Sequence, residues 1–543
     1  MEKLAGRKVL LNPVAVTPRG AFVSVVVVGG GRVECAFFGE PVPDGPAAER
    51  RSAGDGGVPA PVATLEGDAL VFAGGAVVAG PLGVPAAAPA GTAAYLEERL
   101  SQPERVGPPE VVDCAGAYLF PGLVDVHAHL RDLEQCQKET FETGTRAAIA
   151  GGVVLTCAMP NTSPPATDVA AVRRWMEAAR GRTYCDVAFW GGVPATSSRG
   201  DLCAVLDAGV VGFKVYPHAP ISGVNWSDPA SWHSLFEAAV SRDKVVAVHP
   251  DLPVDPAERA ARFERATSEG ADELNAHDRA HPVDDALKLL DLVGRVVRDG
   301  DWEGGTTPRL HFCHVSSRAE LEALRDLKAA APPGRITVEV TPHHLLLDAD
   351  VARGGDLPDP AWAKVLPPLR PASAKLPHPG CLDGTAGVDG EAGVAGVAGV
   401  AGVADLVASD HAPHALEEKE AGLAEAPSGF PGNELLLPLL ATEAFRGNVR
   451  LSSIARACRE APLRLLRMTP NEVFAPGSPA SFALVERVPP YRPAPGQFHT
   501  MAKYSPYVTR ELEARVRHVY LRGVQVVRDG RVLDPPRGRI VLR

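Results

Sequence analysis

Positive charge accumulates nowhere along this chain. Its 55 lysines and arginines stand against 66 aspartates and glutamates, a formal net charge of −11. No basic run of any length offsets that balance, so nucleic acid and anionic membrane surfaces are excluded as general partners. An anionic ligand has to be met by a local positive field. A disulfide framework is absent as well: nine cysteines, an odd number, are scattered without regular spacing. The opening "MEKLAGRKVLLNPVAV" lacks the charged-then-apolar layout of a signal peptide, and a cytoplasmic location is expected. The longest early apolar stretch, "AFVSVVVVGG", is too short to span a bilayer and too β-branched for a membrane helix. It predicts a strand.

What is present is core material. The chain has 543 residues, 45% of them hydrophobic and 22% charged, which suits one large barrel plus an accessory domain. Strands are expected at 119–126, 153–159, 184–190, 210–216, 244–248, 309–313, 336–340 and 405–409. Between them, "DVAAVRRWMEAARG", "DDALKLLDLVGRVVRDG" and "SRAELEALRDLKAA" carry apolar residues at the three- and four-residue spacing of helices. Strand and helix in alternation imply a parallel sheet, and eight repeats imply a closed (β/α)8 TIM-like barrel. The outer segments, with "KVLLNPVAV", "FVSVVVV" and "RVRHVYLRGVQVVRDGRVL", read as β-rich, the last turning at Arg528-Asp529-Gly530.

The expected division is therefore an α/β chain in three parts. Residues 1–118 and 471–543 form a small β-sandwich domain from the two ends, and 119–470 form the barrel. Pro/Ala/Gly-rich stretches at about 41–62 and 83–92 predict loops. "AGVAGVAGVAGVA" at 392–404 predicts an inert low-complexity loop ahead of the eighth strand.

Six residues each follow or end one of the apolar runs: His127, His129, Lys214, His249, His314 and Asp410. A (β/α)8 barrel builds its active site at the C-terminal ends of its strands. In "LFPGLVDVHAHLRD" the two-residue period turns His127 and His129 to the same side, where both imidazoles reach one metal ion. Packing does not explain four imidazoles, a lysine and a carboxylate at one mouth, since barrel interiors are filled mainly by branched apolar side chains. An ammonium repels cations, but a lysine carboxylated by carbon dioxide is a bidentate anion able to bridge two of them. Two such ions ionise a shared water near neutral pH.

These segments resemble the amidohydrolase superfamily and, within it, the dihydroorotases, especially the dihydroorotase domain of the animal multifunctional pyrimidine-synthesis enzyme. The matching stretches run in order from about residue 119 to the C-terminus: "PGLVDVHAHLRD", "AMPNTSPPATD", "GFKVY", "FCHVSS", "VEVTPHHLLL", "VLPPLR", "ASDHAPHALEEKE", "GFPGNELLLPLL" and "YSPYVTRELEARVRHVYLRG". The resemblance implies two Zn2+ per chain. His127, His129, Lys214 and Asp410 surround one, Lys214, His249 and His314 the other, and N6-carboxylysine at Lys214 bridges them. It also implies that Arg131, Asn161 and His414 bind the substrate carboxylate. Glu339, His343, His344 and Cys313 read as supporting or packed residues. Three features depart from the pattern: Leu366 where a polar residue is common, a loop after Lys214 without the animal lid's threonine, and Pro250-Asp251 after His249.

The implied activity is reversible cyclisation of N-carbamoyl-L-aspartate to L-dihydroorotate in de novo pyrimidine biosynthesis, by a binuclear-metal hydroxide with Asp410 as general acid and base. A homo-oligomer, in company with other pyrimidine-pathway enzymes, is the expected assembly. Two rivals are a related cyclic-amide hydrolase of the dihydropyrimidinase, hydantoinase or allantoinase type, and a non-catalytic dihydroorotase-like scaffold subunit. Arg131 discriminates against the first, whose substrates lack the carboxylate it would grip. The six intact positions discriminate against the second.

Overall fold

The computed structural model describes residues 8–42 apart from 19 and 31, 63–66, 69–72, 77–78, 110–114, and 116–543 apart from 196–197, 378, 384–399, 470–473 and 476. Its centre is a ring of parallel strands: Leu123–Ala128, Val153–Ala158, Asp186–Phe189 continuing as Gly191–Gly192, Gly212–Val215, Val245–Val248, Arg309–Phe312, Ile336–Val340 and Leu406–Val407. The first three pair in order in one sheet, and the continuation of the third leads a six-stranded sheet through to the eighth. A parallel bridge between Ala128 and His411 joins eighth to first. Helices lie between successive strands, with Thr140, Asp168, Ser198 and Ser317 accepting hydrogen bonds from first-turn amides as side-chain caps. Among the described residues no helix is long and apolar enough to cross a membrane.

Val124, Val126, Leu155, Cys157, Ala188, Trp190, Val245, Ala247, Leu406 and Ala408 form one cluster together with Leu463, Leu465 and Leu466. A single apolar group fed by five strands is what the inside of a barrel requires. A separate, larger cluster takes Leu123, Val154, Phe189, Phe213, Val246 and Phe312, together with helix residues such as Trp175, Leu206, Phe236 and Leu324.

Strands from both ends of the chain share one nine-stranded sheet beside this ring, in which Tyr118–Pro121 pairs on one side with Lys8–Thr17 and on the other with Phe482–Tyr491. The expected first strand, 119–126, is thus two strands in two sheets, divided at Gly122. A near-continuous apolar run crosses the division and does not mark it. Close approach does: a Cβ on Gly122 would lie 2.4 Å from Val154 Cγ1 and 3.1 Å from the Ser481 carbonyl. After leaving the small sheet, the chain returns to the ring. Val187 N donates to Arg539 O and Val541 N to Val187 O, while Arg543 N donates to Gly209 O. The tail therefore lines the beginning of the third strand, where the two parallel sheets part.

The loops expected at 43–62 and 83–92 fall outside the described residues, and 41–42 end a strand. Most of the low-complexity tract is also outside them. Its last residues are not inert: Val400, Val403 and Ala404 are buried, and Lys328 Nζ donates to Val403 O at 2.9 Å. Composition hid this because alanine and valine serve a loop or a core equally well.

Gly122→Ala should lower stability by roughly 1–3 kcal/mol, the usual effect of overpacking at a close approach. The midpoint of urea unfolding measures it, and an unchanged midpoint would mean that the junction has slack.

Candidate active site

Each sequence-predicted ligand lies in or just beyond the C-terminal end of its strand. His127 is inside the first strand and His129 just past it, Lys214 is inside the fourth, and His249, His314 and Asp410 follow the fifth, sixth and eighth. All six are buried. His127 Nε2 and His129 Nε2 approach the same Asp410 oxygen, Oδ1, at 3.3 and 3.4 Å. The His314 ring stands 5.0 Å from His127 and 4.4 Å from His249, centre to centre. Arg131, Asp132, Leu133, His314 and Asp410 all have positive φ, between 34° and 61°. Left-handed backbone at non-glycine residues is costly, and here it gathers where side chains must be aimed into the mouth.

Carboxylates hold this array in place. Glu339 takes His127 Nδ1 on one oxygen at 2.8 Å, together with the His314 amide at 2.9 Å, and His311 Nε2 on the other at 3.0 Å. Although burial and Lys214 oppose it, the neighbouring carboxylates Glu339 and Asp410 raise His127 to about 10. Burial raises Asp410, yet His127 and His129 bring it down to about 2 and keep it ionised at neutral pH. Burial and Arg131 lower His129 to about 4, so its ring is neutral. Asp125 ties the first strand to the eighth by accepting from Ser409 Oγ at 2.5 Å and Ser409 N at 3.0 Å.

Among the six sequence-predicted ligands, three buried atoms have no hydrogen-bond partner: Lys214 Nζ, His249 Nε2 and His314 Nδ1. An ammonium fully out of water with no counter-charge is costly. His127, His129 and Asp410 each offer a ligand atom within 4.8 Å of the others, and His127, Cys313 and Glu339 do the same. Imidazole and carboxylate donors suit zinc and similar divalent ions, and a carboxylated Lys214 would supply the missing anion. The residues present fit a metal centre.

Arg131 is 7% exposed and donates through Nε to Pro413 O at 3.2 Å. Its acidic neighbours are engaged elsewhere, Asp132 with Arg182 at 3.0 Å and Glu134 with Arg174 at 2.7 Å. Arg131 makes no ion pair among the described residues. Its Nη2 lies 3.2 Å from His414 Nε2, while Lys138 Nζ lies 3.1 Å from Nδ1 of the same ring. Burial and these two cations hold His414 well below the usual imidazole range, and it is neutral. Asn161 reaches His129, accepting from Nδ1 at 2.6 Å, rather than Arg131.

Several participants escaped the sequence reading. The His218 ring lies 3.9 Å from His249, centre to centre and tilted, and these two with Asp251 offer ligand atoms within 4.8 Å of one another. Asp251 is already bound to Arg259 at 3.0 Å. Tyr504 OH accepts from His414 N at 3.1 Å. The substitution of Pro250-Asp251 for the common pair was the signal for Asp251. Tyr504, 90 residues from His414, gave none.

The amidohydrolase family model matches residues 118–286. The dihydroorotase of Leifsonia xyli subsp. xyli is 32% identical over 430 residues, covering 78% of this chain and 89% of the relative. The allantoinase of Streptomyces avermitilis is 29% identical over 442 residues, with 79% and 89% covered. Among solved structures, the L-hydantoinase (dihydropyrimidinase) of Arthrobacter aurescens superposes with a TM-score of 0.73 at 20% identity, over 99% of this chain and 100% of that one.

Removing the Glu339 carboxylate should be expensive in the metal-free protein. Glu339→Ala strips partners from two buried imidazoles and is expected to cost roughly 3–5 kcal/mol, the range for breaking a buried charged pair. Chemical denaturation measures it, and a loss under about 1 kcal/mol would place the weight of the site elsewhere.

Proposed function

The chain belongs to the amidohydrolase family, with dihydroorotases among its relatives, and from that membership we propose that it is a zinc-dependent dihydroorotase interconverting N-carbamoyl-L-aspartate and L-dihydroorotate. The observation that carries this reading is Arg131: a buried guanidinium at the mouth with no carboxylate of its own. Dihydroorotate brings the missing carboxylate, whereas hydantoin, dihydrouracil and allantoin have none.

His127, His129, Lys214 and Asp410 would hold one zinc, and Lys214, His249 and His314 the other, with Lys214 carboxylated between them. Bound zinc would supply Lewis acidity and make water acidic enough to ionise near neutral pH. The chain's own residues do the rest. Arg131 takes the substrate carboxylate in its planar fork. His414 lies beside that fork and, held neutral between two cations, adds no competing positive charge, while Asn161, tied to His129, would be a further contact to the carboxylate. The ring is thereby fixed over the strand ends, a positional contribution to rate. In the hydrolytic direction Asp410, ionised at neutral pH, accepts the proton of the attacking water and passes it to the departing ring nitrogen. Synthesis reverses these transfers.

A second reading, an allantoinase- or hydantoinase-type activity, is favoured by the 29% identity to the Streptomyces allantoinase. Purified protein assayed on dihydroorotate and on dihydrouracil, the same ring without its carboxylate, separates the two. A clear preference for dihydroorotate is expected.

Arg131→Met should lower kcat/KM for dihydroorotate by roughly 30-fold or more with metal content unchanged, since losing one partner of a buried charge pair costs about 2–5 kcal/mol. Arg131→Lys should restore little, because a point charge lacks the fork. Equal turnover of dihydrouracil together with a silent Arg131→Met would overturn the assignment.

Lys214→Ala should lose bound metal and activity together, as measured by elemental analysis and assay on one sample. Full activity with undiminished metal would remove Lys214 from the centre.

A further inference from the structure

The segment from His411 to Phe430 leaves the eighth strand, carries His414, and closes on itself where Ala412 N donates to Phe430 O at 3.0 Å. Inside it sits Lys419, 0% exposed. Its ammonium donates to Pro427 O at 2.8 Å, Gly429 O at 3.0 Å and Lys364 O at 3.4 Å, and stands 5.6 Å from the centre of the Tyr504 ring. Lys419 forms no ion pair among the described residues; its Nζ is buried against carbonyls and a π-face alone, and burial with Lys364 nearby lowers it to about 7. Burying an amine is costly and is tolerated where its several donors satisfy backbone acceptors.

The carbonyls it gathers lead directly to His414. Ser428 O, between the two carbonyls that Lys419 holds in the returning limb, lies 3.1 Å from His414 Nε2. Gly429 O also accepts from Tyr504 OH, and that oxygen in turn accepts from His414 N at 3.1 Å. Gly429 has φ +125°, and a Cβ there would lie 2.6 Å from Ala412 O, so the two limbs meet with backbone against backbone. Lys364, the nearby second buried lysine, holds a different part of the loop. Its Nζ donates to Leu423 O at 2.6 Å and Ala424 O at 3.1 Å, at the loop's tip.

We propose that Lys419 is a positioning residue for substrate binding: its ammonium ties the returning limb of the 411–430 loop in place and thereby sets His414 beside Arg131. This rests on the reading of Arg131 and His414 as the grip on the substrate carboxylate. Lys419 touches neither substrate nor the metal ligands.

The test compares Lys419→Met, Lys364→Met and wild type as metal-loaded full-length protein. Lys419→Met is expected to raise KM for dihydroorotate about tenfold while kcat stays within about twofold, the signature of lost uniform binding. Lys364→Met, which releases only the loop tip, should keep KM within about twofold. Hydrogen–deuterium exchange is read on the same samples without substrate. In Lys419→Met it should quicken in 411–430 and stay unchanged in the Val245–Val248 strand.

Unaltered KM, unaltered exchange in 411–430, or loss of protection throughout the barrel would each overturn the proposal, the last by showing a role in stability alone. Should Lys419→Met fail to fold, Lys419→Gln carries the same comparison, with changes in the same direction expected. If wild type does not turn over dihydroorotate, the functional reading fails, while the exchange data still decide whether Lys419 fixes this loop.

Discussion

A polar or charged group taken out of water has to find a partner, and at the mouth of this barrel many such groups are taken out of water together. Glu339 resolves much of the difficulty by serving His127, His311 and the His314 amide with its two oxygens. Asp125 plays a similar part lower down, where Ser409 fastens the eighth strand to the first. Among the atoms left unsatisfied, those on Lys214, His249 and His314 are the ones a metal centre would claim. The pairing rule thus organises the site twice: once through what is paired, and once through what is left over.

Much of this was legible in the sequence because a barrel strand is short, apolar and followed at once by its functional residue. Seven of the eight strand positions, and the placing of the six residues in or just past strand ends, could be read from that rhythm. Gly122 was not legible as a boundary, because both halves of "YLFPGLVDV" are equally apolar and only the approach of Val154 and Ser481 separates them. Val400 and Val403 were lost in a tract whose composition fits solvent or core alike. Tyr504 and Lys419 lie in stretches that carry the resemblance, yet their roles were not legible, for a different reason. Their roles depend on which backbone carbonyls the fold brings near them, and carbonyls leave no trace in a sequence.

Family and substrate rest on different kinds of observation. A superposition at TM-score 0.73 and 20% identity to a hydantoinase speaks for the fold alone, which this family shares across several ring-opening activities. Discrimination has to come from side chains at the mouth. There the arrangement around Arg131 is selective by omission: Asp132 and Glu134 are drawn away by Arg182 and Arg174, and Lys138 lies against the far side of His414. Under the proposed reading, a guanidinium free of internal ion pairs would take an external carboxylate without the penalty of breaking an existing pair.

The return of residues 538–543 to the ring has a consequence for biosynthesis. Ribosomes deliver a chain from its N-terminus, and the third barrel strand leaves the exit tunnel some 350 residues before the segment that pairs with Val187 and Gly209. Throughout that interval the start of the strand shows an unclaimed backbone edge, the kind of surface that invites pairing with other chains. Residues 538–543 cover it, so until they emerge the nascent chain carries an aggregation hazard at the start of its third barrel strand.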